Sequence, residues 1–478
     1  GMLRDAKPSV FEDIIALVAL YRPGPMDLIP SFCARKHGRE EVEYPHPLMA
    51  EVLQETYGIM VYQEQVMQVA QIVGGYSLGG ADLLRRAMGK KKLEEMVAHR
   101  ATFAEGAGKK GIEEPKANEI FDLMEKFAGY GFNKSHAAAY ALLAYHTAWL
   151  KVHYTAEFFA GNMSVAIDDT DKLKIFFDDA TQNFGITFEP PNVNKGAWRF
   201  EPVDDKTICY ALGAIKGTGQ GAIEAIMACR AEGGPFKSFF EFCSRVDRSR
   251  VNKRVVEALI KGGAFDALEP HRAGLLASVS LAFDYADTLL ANADQGGLFD
   301  FGDSHAASTN EPDLVPTEPW TLKQQLSLEK TALGFFLSGH LFDEVEREVR
   351  RFAKRVGDLQ DAREPQMSAG IITELRVING NRGRVGIFKL DDKSGVIEAV
   401  VNEATLDANK DIFKDDELII VQGKVQPDRF SGGLRYNVTQ VWSLGSARCQ
   451  FARFLRVKAP AQHCPVGDVV REFPARRV

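Results

Sequence analysis

Apolar residues fall at helical spacing through the early part of the chain and alternate strictly near its end, and this change of period divides it. Phe11 to Leu20 is a short apolar helix that stops at Arg22-Pro-Gly-Pro25, a rigid turn that displays Arg22 on a fixed loop. Between Tyr57 and Val73 the residues Ile59, Met60, Val66, Met67, Val69 and Ile72 share helical spacing, while Gln63, Glu64 and Gln65 take other faces. The methionines read as core filler. A short helix follows from Gly80 to Gly89, then a helical pattern with charged outer faces from Leu93 to Lys126. Gly129 and Gly131 break the chain before a long helix from about Ala137 to His153, and the pattern stays helical to about Met163.

Between Phe188 and Cys209 the helical period lapses into Pro190-Pro191 and a short β-like passage. Ala291 to Pro319 is rich in Asp, Ser, Pro and Gly and reads as a linker. Leu328 to Phe342 reads as a helix ending near Gly339, with His340 as a capping residue. Five alternating segments close the pattern: Ile371–Val377, Val385–Leu390, Val396–Val401, Leu418–Val425 and Leu434–Val441, with a helix near Glu403–Phe413 after the third. Five strands with that helix position is the order of an OB-fold. The fold class expected is multidomain α+β. Its parts are a helical domain at 1–200, a tandem helix-hairpin-helix module at 201–275, a helical segment and linker at 276–365, a small β-barrel at 366–445 and a tail at 446–478.

A length of 478 residues gives room for about three domains, each with its own core. With 58 basic against 65 acidic residues the net charge is −7, so contact with nucleic acid must come from local basic patches. Six cysteines stand at 33, 209, 229, 243, 449 and 464 without a CxxC pair, which argues against a zinc knuckle or disulfide framework and fits a reduced cytoplasm. No apolar run looks long enough to cross a bilayer, so no membrane role is expected. Gly1 before Met2 looks like a tag scar.

Two stretches carry candidate chemistry. In Gly129 to Tyr140, Asn133 or Ser135 can cap the long helix, whose positive dipole end then lies beside Lys134 and His136. Free N–H groups, a cation and an imidazole suit an anion. His136 and Tyr140, four residues apart, share a helix face. In Gly80 to Lys92, Arg85 and Arg86 precede Lys90, Lys91 and Lys92, enough charge to neutralise several phosphates. The bland alternative pairs Asp82 with the arginines and leaves the lysines as a solvated helix end. Asp168, Asp169 and Asp171 form an acidic cluster, read as the cap of a helix from about Asp171 and not as a metal site.

These strings, LLRRAMGKKK and FAGYGFNKSHAAAYALL, with ALVALYRPGPM and TYGIMVYQEQVMQ before them, closely resemble the fingers of the bacterial polymerase III alpha-subunit family, the C-family replicative DNA polymerases. The resemblance runs from about Phe11 to about Leu444. It implies a DNA-directed DNA polymerase, a nucleotidyltransferase, whose Mg2+-binding aspartates lie on a palm that this chain lacks. The fragment is then expected to be inactive and to bind no metal itself. It also implies that Arg85 and Arg86 meet the incoming dNTP triphosphate and that Lys90, Lys91 and Lys92 support phosphates or template backbone. Asn133, Lys134, Ser135, His136 and Tyr140 would surround the nucleotide, with His136 bulky enough to exclude a ribose 2′-OH.

Ile215-Lys-Gly-Thr-Gly-Gln-Gly-Ala-Ile223 matches a helix-hairpin-helix, in which Lys216, Gly217, Thr218 and Gly219 would hold a DNA phosphate without reading sequence. Leu259 to Phe265 looks like a degenerate second copy, with Lys253 and Arg254 adding charge. A GxG turn between two packing helices is the structural alternative. Gln295-Gly-Gly-Leu-Phe299 resembles the pentapeptide that docks on the beta sliding clamp, with Gln295 at the pocket rim and Leu298 and Phe299 within it. On the barrel, Arg382, Arg384, Lys389, Arg429 and Arg435 would track single-stranded template, while Phe388, Phe430 or Tyr436 either stack on bases or fill the core. Primer–template duplex and other holoenzyme subunits complete the implied partners. After Ser446 the chain departs from the family pattern, so tau binding is not expected. An error-prone paralogue and a non-catalytic DNA-binding adaptor are the rival readings.

Overall fold

The computed structural model describes residues 1–90, 93–128, 131–296, 311–380, 383–428 and 433–451. They form two compact units, Gly1–Phe158 and Phe159–Val478.

The first unit is helical: α1 (Met2–Ala6), α2 (Phe11–Leu20), α3 (Ile29–Lys36), α4 (Ala50–Leu53), α5 (Gln63–Ile72), α6 (Leu78–Lys90), α7 (Leu93–Gly108), α8 (Glu114–Ala128) and α9 (Lys134–His153). Its apolar positions form two cores. One gathers Val66, Val69, Leu84, Met88, Phe103, Phe121 and Met124 from α5 to α8. The other sets Ala137 and Ala141 of α9 against Ile15, Ala16, Ala19 and Leu20 of α2, where small side chains let the helices approach. In the first turn of α2 stands Asp13, buried at 1% exposure, which accepts the Ser9 and Val10 N–H groups and the Tyr57 hydroxyl and pairs with Lys36 at 2.9 Å.

After α10 (Thr155–Val165), α11 (Thr170–Phe184) opens on Asp169, whose carboxylate accepts the Lys172 N–H at 3.1 Å, so the acidic cluster does cap a helix. A three-stranded sheet follows, β1 (Thr187–Glu189), β2 (Glu201–Asp204) and β3 (Thr207–Cys209), in order β1-β3-β2. Next come α12 (Gln220–Gly233), α13 (Phe239–Arg245), α14 (Lys253–Lys261), α15 (Arg272–Ala277), α16 (Val279–Gly296), α17 (Leu322–Leu333) and α18 (Glu346–Val349). Helix α16 runs into the expected linker as far as Gly296. Helix α17 starts before the expected one, at a Thr321/Gln324 capping box, and ends before it, at Gly334 in the left-handed region. His340 is not the cap of this helix, whose C-cap is Gly334; it lies in a later turn, where its Nδ1 accepts the Phe342 N–H at 3.1 Å.

The expected absence of a membrane-length apolar stretch needs correction. Arg272–Ala291, 20 residues long, holds an 18-residue stretch with a mean hydropathy of 1.2 and passes by length and composition. It begins on Arg272, which is buried in ion pairs with Asp266 at 2.6 Å and Glu329 at 3.0 Å, and Ala273, Leu275, Val279, Ala282 and Ala286 face a protein core.

The last strands are β4 (Gln366–Gly380), β5 (Gly383–Asp391), β6 (Val396–Asn402), β7 (Leu418–Pro427) and β8 (Leu434–Trp442), with α19 (Glu403–Ala408) after β6 and α20 (Leu444–Phe451) at the end. They close a barrel in the order β4-β5-β6-β8-β7, with β6 and β8 parallel and the other pairs antiparallel. Phe388 and Tyr436 are both core, and the Tyr436 hydroxyl donates to the carbonyls of Gln366 and Val421 at 2.6 and 3.1 Å. Neither ring is free to stack on a base; Arg429 and Phe430 lie outside the described residues.

Candidate functional site

Asn133 is the N-cap of α9, its side-chain oxygen accepting the His136 N–H at 2.8 Å. The expected anion position is already taken by a carboxylate of the same chain. Glu64 of α5 accepts the Lys134 backbone N–H and the Asn133 side-chain amide, both at 2.9 Å, and Glu55 binds the Lys134 ammonium at 2.8 Å. Ser135, His136 and Tyr140 are exposed. The imidazole of His136 lies between two rings, Phe132 at 5.5 Å and Tyr140 at 4.7 Å, and the Arg22 guanidinium sits 4.3 Å over Phe132. The Arg22 loop thus belongs to the same surface.

Helix α5 also reaches the arginine stretch. Arg85 donates to Gln63 Oε1 at 3.2 Å, and Gln63 Nε2 donates to the Gly131 carbonyl at 3.0 Å. Adjacent residues 63 and 64 therefore link α6 to the start of α9. Asp82 pairs with Arg85 and with Arg86, each at 2.8 Å, and the Arg85 hydrogen bond holds the Asp82 carboxyl below its ordinary range. The bland pairing exists, yet it sits within the proposed cationic site. The side chain of Lys90 and the whole of Lys91 and Lys92 lie outside the described residues. Glu64, Glu55 and Gln63 escaped sequence reasoning, because their partners lie 69–70, 79, and 22 or 68 residues away.

In the first hairpin, Gly217 has φ 91°, and the Thr218 hydroxyl donates to the carbonyls of Leu212 and Ile215 at 3.0 and 2.7 Å. Lys216 is exposed, and its backbone N–H is tied to the Ala332 carbonyl at 2.7 Å. The N–H groups of Gly219, Gln220 and Gly221, at the start of α12, donate to no group among the described residues, and Gly219 and Gly221 face open space. The second hairpin is closed. Its Gly262, Gly263 and Ala264 N–H groups bond to Ala258, Ile260 and Leu259, and the Arg272 guanidinium fills the space over Gly263. Nearby Lys253 leans on Ser280 at 3.3 Å, while Arg254 is exposed.

Three of the barrel's candidate cations are neutralised locally. Arg384 pairs with Glu403 at 2.7 Å and Asp407 at 2.8 Å, Lys389 with Glu374 at 2.6 Å, and Arg435 with Glu398 at 2.7 Å. Arg382, Leu298 and Phe299 lie outside the described residues, as does the side chain of Gln295. Among the described residues no three His, Cys, Asp or Glu side chains gather as a metal site.

Against known families, residues 1–111 match the bacterial DNA polymerase III alpha subunit finger domain, 185–275 a helix-hairpin-helix motif and 369–444 an OB-fold nucleic acid binding domain. DNA polymerase III subunit alpha of Neisseria meningitidis serogroup B is 52% identical over 479 residues, covering 100% of this chain and 41% of that protein. The Pseudomonas aeruginosa protein of the same name is 46% identical over 96% of this chain and 41% of its own. The Escherichia coli K12 protein is 44% identical over 95% and 40%. The chain thus spans about two fifths of these curated relatives' length. The Neisseria match covers 100% of the chain, Gly1 and the residues after Ser446 included. RecG bound to a three-way DNA junction aligns with 41% of this chain at 15% identity and a TM-score of 0.17, too low to carry any part of the reading.

Proposed function

We propose, from the premise that the chain belongs to the bacterial DNA polymerase III alpha-subunit family, that it is the fingers-to-OB segment of a replicative DNA-directed DNA polymerase. In this reading the surface shared by α5, α6 and α9 receives the triphosphate of the incoming dNTP. Arg85, Arg86 and Lys134 neutralise its charge, and the Lys134 N–H and the Asn133 amide supply hydrogen bonds as Glu64 is displaced. His136, held between Phe132 and Tyr140, stands beside the sugar and excludes a ribose 2′-OH. The residues gathered here are mainly donors, so the chain's own part in nucleotidyl transfer is to hold and neutralise phosphate. Mg2+ is assigned to carboxylates elsewhere in the polymerase, and the segment alone is expected not to polymerise.

Around this site, the open N–H groups of the first hairpin grip the duplex backbone, the barrel meets single-stranded template, and Gln295, Leu298 and Phe299 dock on the sliding clamp and so join the segment to the holoenzyme. A cytoplasmic location follows from that work. The single observation that carries the nucleotide reading is that Gln63 and Glu64 tie the Arg85 helix to the α9 start. The test is dNTP affinity of the complete subunit on primer–template. Arg85→Gln and Lys134→Gln should each weaken it by about tenfold or more, the range of one charge-assisted hydrogen bond. Unchanged affinity in both would sink the reading.

A further inference from the structure

Where α1 and α3 meet, the first unit opens into a cavity of about 870 Å³ lined by Arg4, Lys7, His37 and Arg39, with the Cys33 side chain in its wall. All four basic side chains are exposed, and among the described residues the only carboxylate lining the cavity is Asp5. His37 turns one ring nitrogen to the Asp5 carbonyl at 3.0 Å. Arg4, Lys7 and Arg39 make no ion pair and no side-chain hydrogen bond among the described residues.

That lack of partners is unusual in this unit. Arg35 is paired with Glu40, Lys36 with Asp13, Arg85 and Arg86 with Asp82, Arg100 with Asp122 and Glu125, and Lys134 with Glu55. The chain holds more acids than bases, 65 against 58, so carboxylates are plentiful, yet among the described residues Asp5 alone of them lines this cavity, and it pairs with none of the three cations. A helix-end dipole favours one cation at a C-terminus by about 0.3–1 kcal/mol. It does not account for several cations converging on one cavity, where mutual repulsion opposes them.

We infer that this cavity is a phosphate site, separate from the nucleotide surface at α9, and that Arg4, Lys7 and Arg39 supply its charge. The cations are exposed at the ends of long side chains, an arrangement that neutralises phosphate without reading the group attached to it. That chemistry is offered by the phosphodiester backbone of a nucleic acid and by a free polyphosphate alike.

The test uses the 478-residue chain and its triple variant Arg4→Gln, Lys7→Gln, Arg39→Gln. Binding to a random-sequence DNA duplex is followed across salt concentration, and inorganic pyrophosphate is titrated by calorimetry. If the backbone fills the cavity, the plot of log affinity against log salt becomes shallower by about 2 to 3, since each phosphate contact contributes about 0.9. If a small polyphosphate fills it, the pyrophosphate signal falls while the DNA slope holds. No change in either arm overturns the inference. The single variant Arg39→Glu repeats both arms should the triple variant fold poorly. Arg85→Gln leaves this cavity intact, so this inference and the nucleotide reading fail independently.

Discussion

Glu64 holds the start of α9 from outside the helix: its two carboxylate oxygens accept the Lys134 backbone N–H and the Asn133 amide, each at 2.9 Å. A carboxylate at that position satisfies the helix dipole and keeps the site ordered without nucleotide. It also competes with the anion the site is proposed to receive. Glu64→Gln keeps an oxygen acceptor and removes the charge, so dNTP affinity of the complete subunit should rise by about twofold to fivefold, the equivalent of about 0.3–1 kcal/mol. Equilibrium titration with a fluorescent dNTP reads the change. Weaker binding in the variant would mean that Glu64 organises the site and does not compete for it.

Acid should loosen the first unit through Asp13. Burial alone would push its carboxyl up, but the Ser9 N–H, Lys36, the Val10 N–H and the Tyr57 hydroxyl together bring it below its ordinary value of 3.8. A depressed folded value means that the ionised form contributes stability above the unfolded value, and that this is lost as pH falls through the folded one. Lys36 runs the other way. Burial lowers it, Asp13 outweighs that, and its net rise above 10.5 gives stability that is lost only at strongly alkaline pH. Asp13→Asn should flatten the acid limb below pH about 4 and cost about 1–3 kcal/mol at neutral pH, since Lys36 keeps the Ser9 hydroxyl as a partner. Urea midpoints across pH measure both effects; an acid limb equally steep in the variant would remove Asp13 from the account.

Much of this was legible in the chain, and the gaps have particular causes. The strand segments of the barrel and the helix after the third strand could be read because alternation has a short period and needs no partner. Asn133 and Asp169 could be read as caps because a cap acts on an N–H three residues away. Phe388 and Tyr436 had a usable signal: each shares parity with buried Leu390 or Val438, which points it inward. No local signal announced Glu64 beside Lys134, because that contact closes a loop of 70 residues. Nor could the sequence tell that Arg272, lying beyond the second glycine hairpin, would fold back over Gly263 and close it.

The barrel offers a test of single-strand binding through its acids. Arg384 is held by Glu403 and Asp407, and the Glu403 hydrogen bond raises its already high basicity further. A strand entering here must displace those carboxylates. Glu403→Gln with Asp407→Asn should therefore strengthen binding of single-stranded DNA and steepen its salt dependence by about 0.7 for each phosphate gained. Fluorescence anisotropy with oligo-dT at several salt concentrations distinguishes the outcomes. An unchanged slope would leave Arg384 a structural anchor of α19.

The two hairpins give opposite results for the same substitution, which separates DNA binding from folding. At Gly217 a Cβ would meet only the Ala258 methyl group at 3.6 Å, an ordinary contact, so the cost of Gly217→Ala is the left-handed backbone at φ 91°, about 1–2 kcal/mol. The protein should stay folded while the hairpin relaxes, and the open N–H groups of Gly219, Gln220 and Gly221 should lose their common aim. Duplex affinity should fall several-fold with a small loss of thermal stability. At Gly263 the Cβ would collide with the Arg272 guanidinium, which is 4% exposed and pairs with Glu329 at 1% exposure. Gly263→Ala should therefore displace one partner of a buried ion pair and cost about 3–5 kcal/mol. Its duplex affinity should be unchanged wherever the variant is still folded, because the Gly262, Gly263 and Ala264 N–H groups of that hairpin are already bonded. Thermal melts and duplex anisotropy on both variants decide the matter: a Gly263→Ala protein that is folded but no longer binds DNA would show the second hairpin to be open in solution.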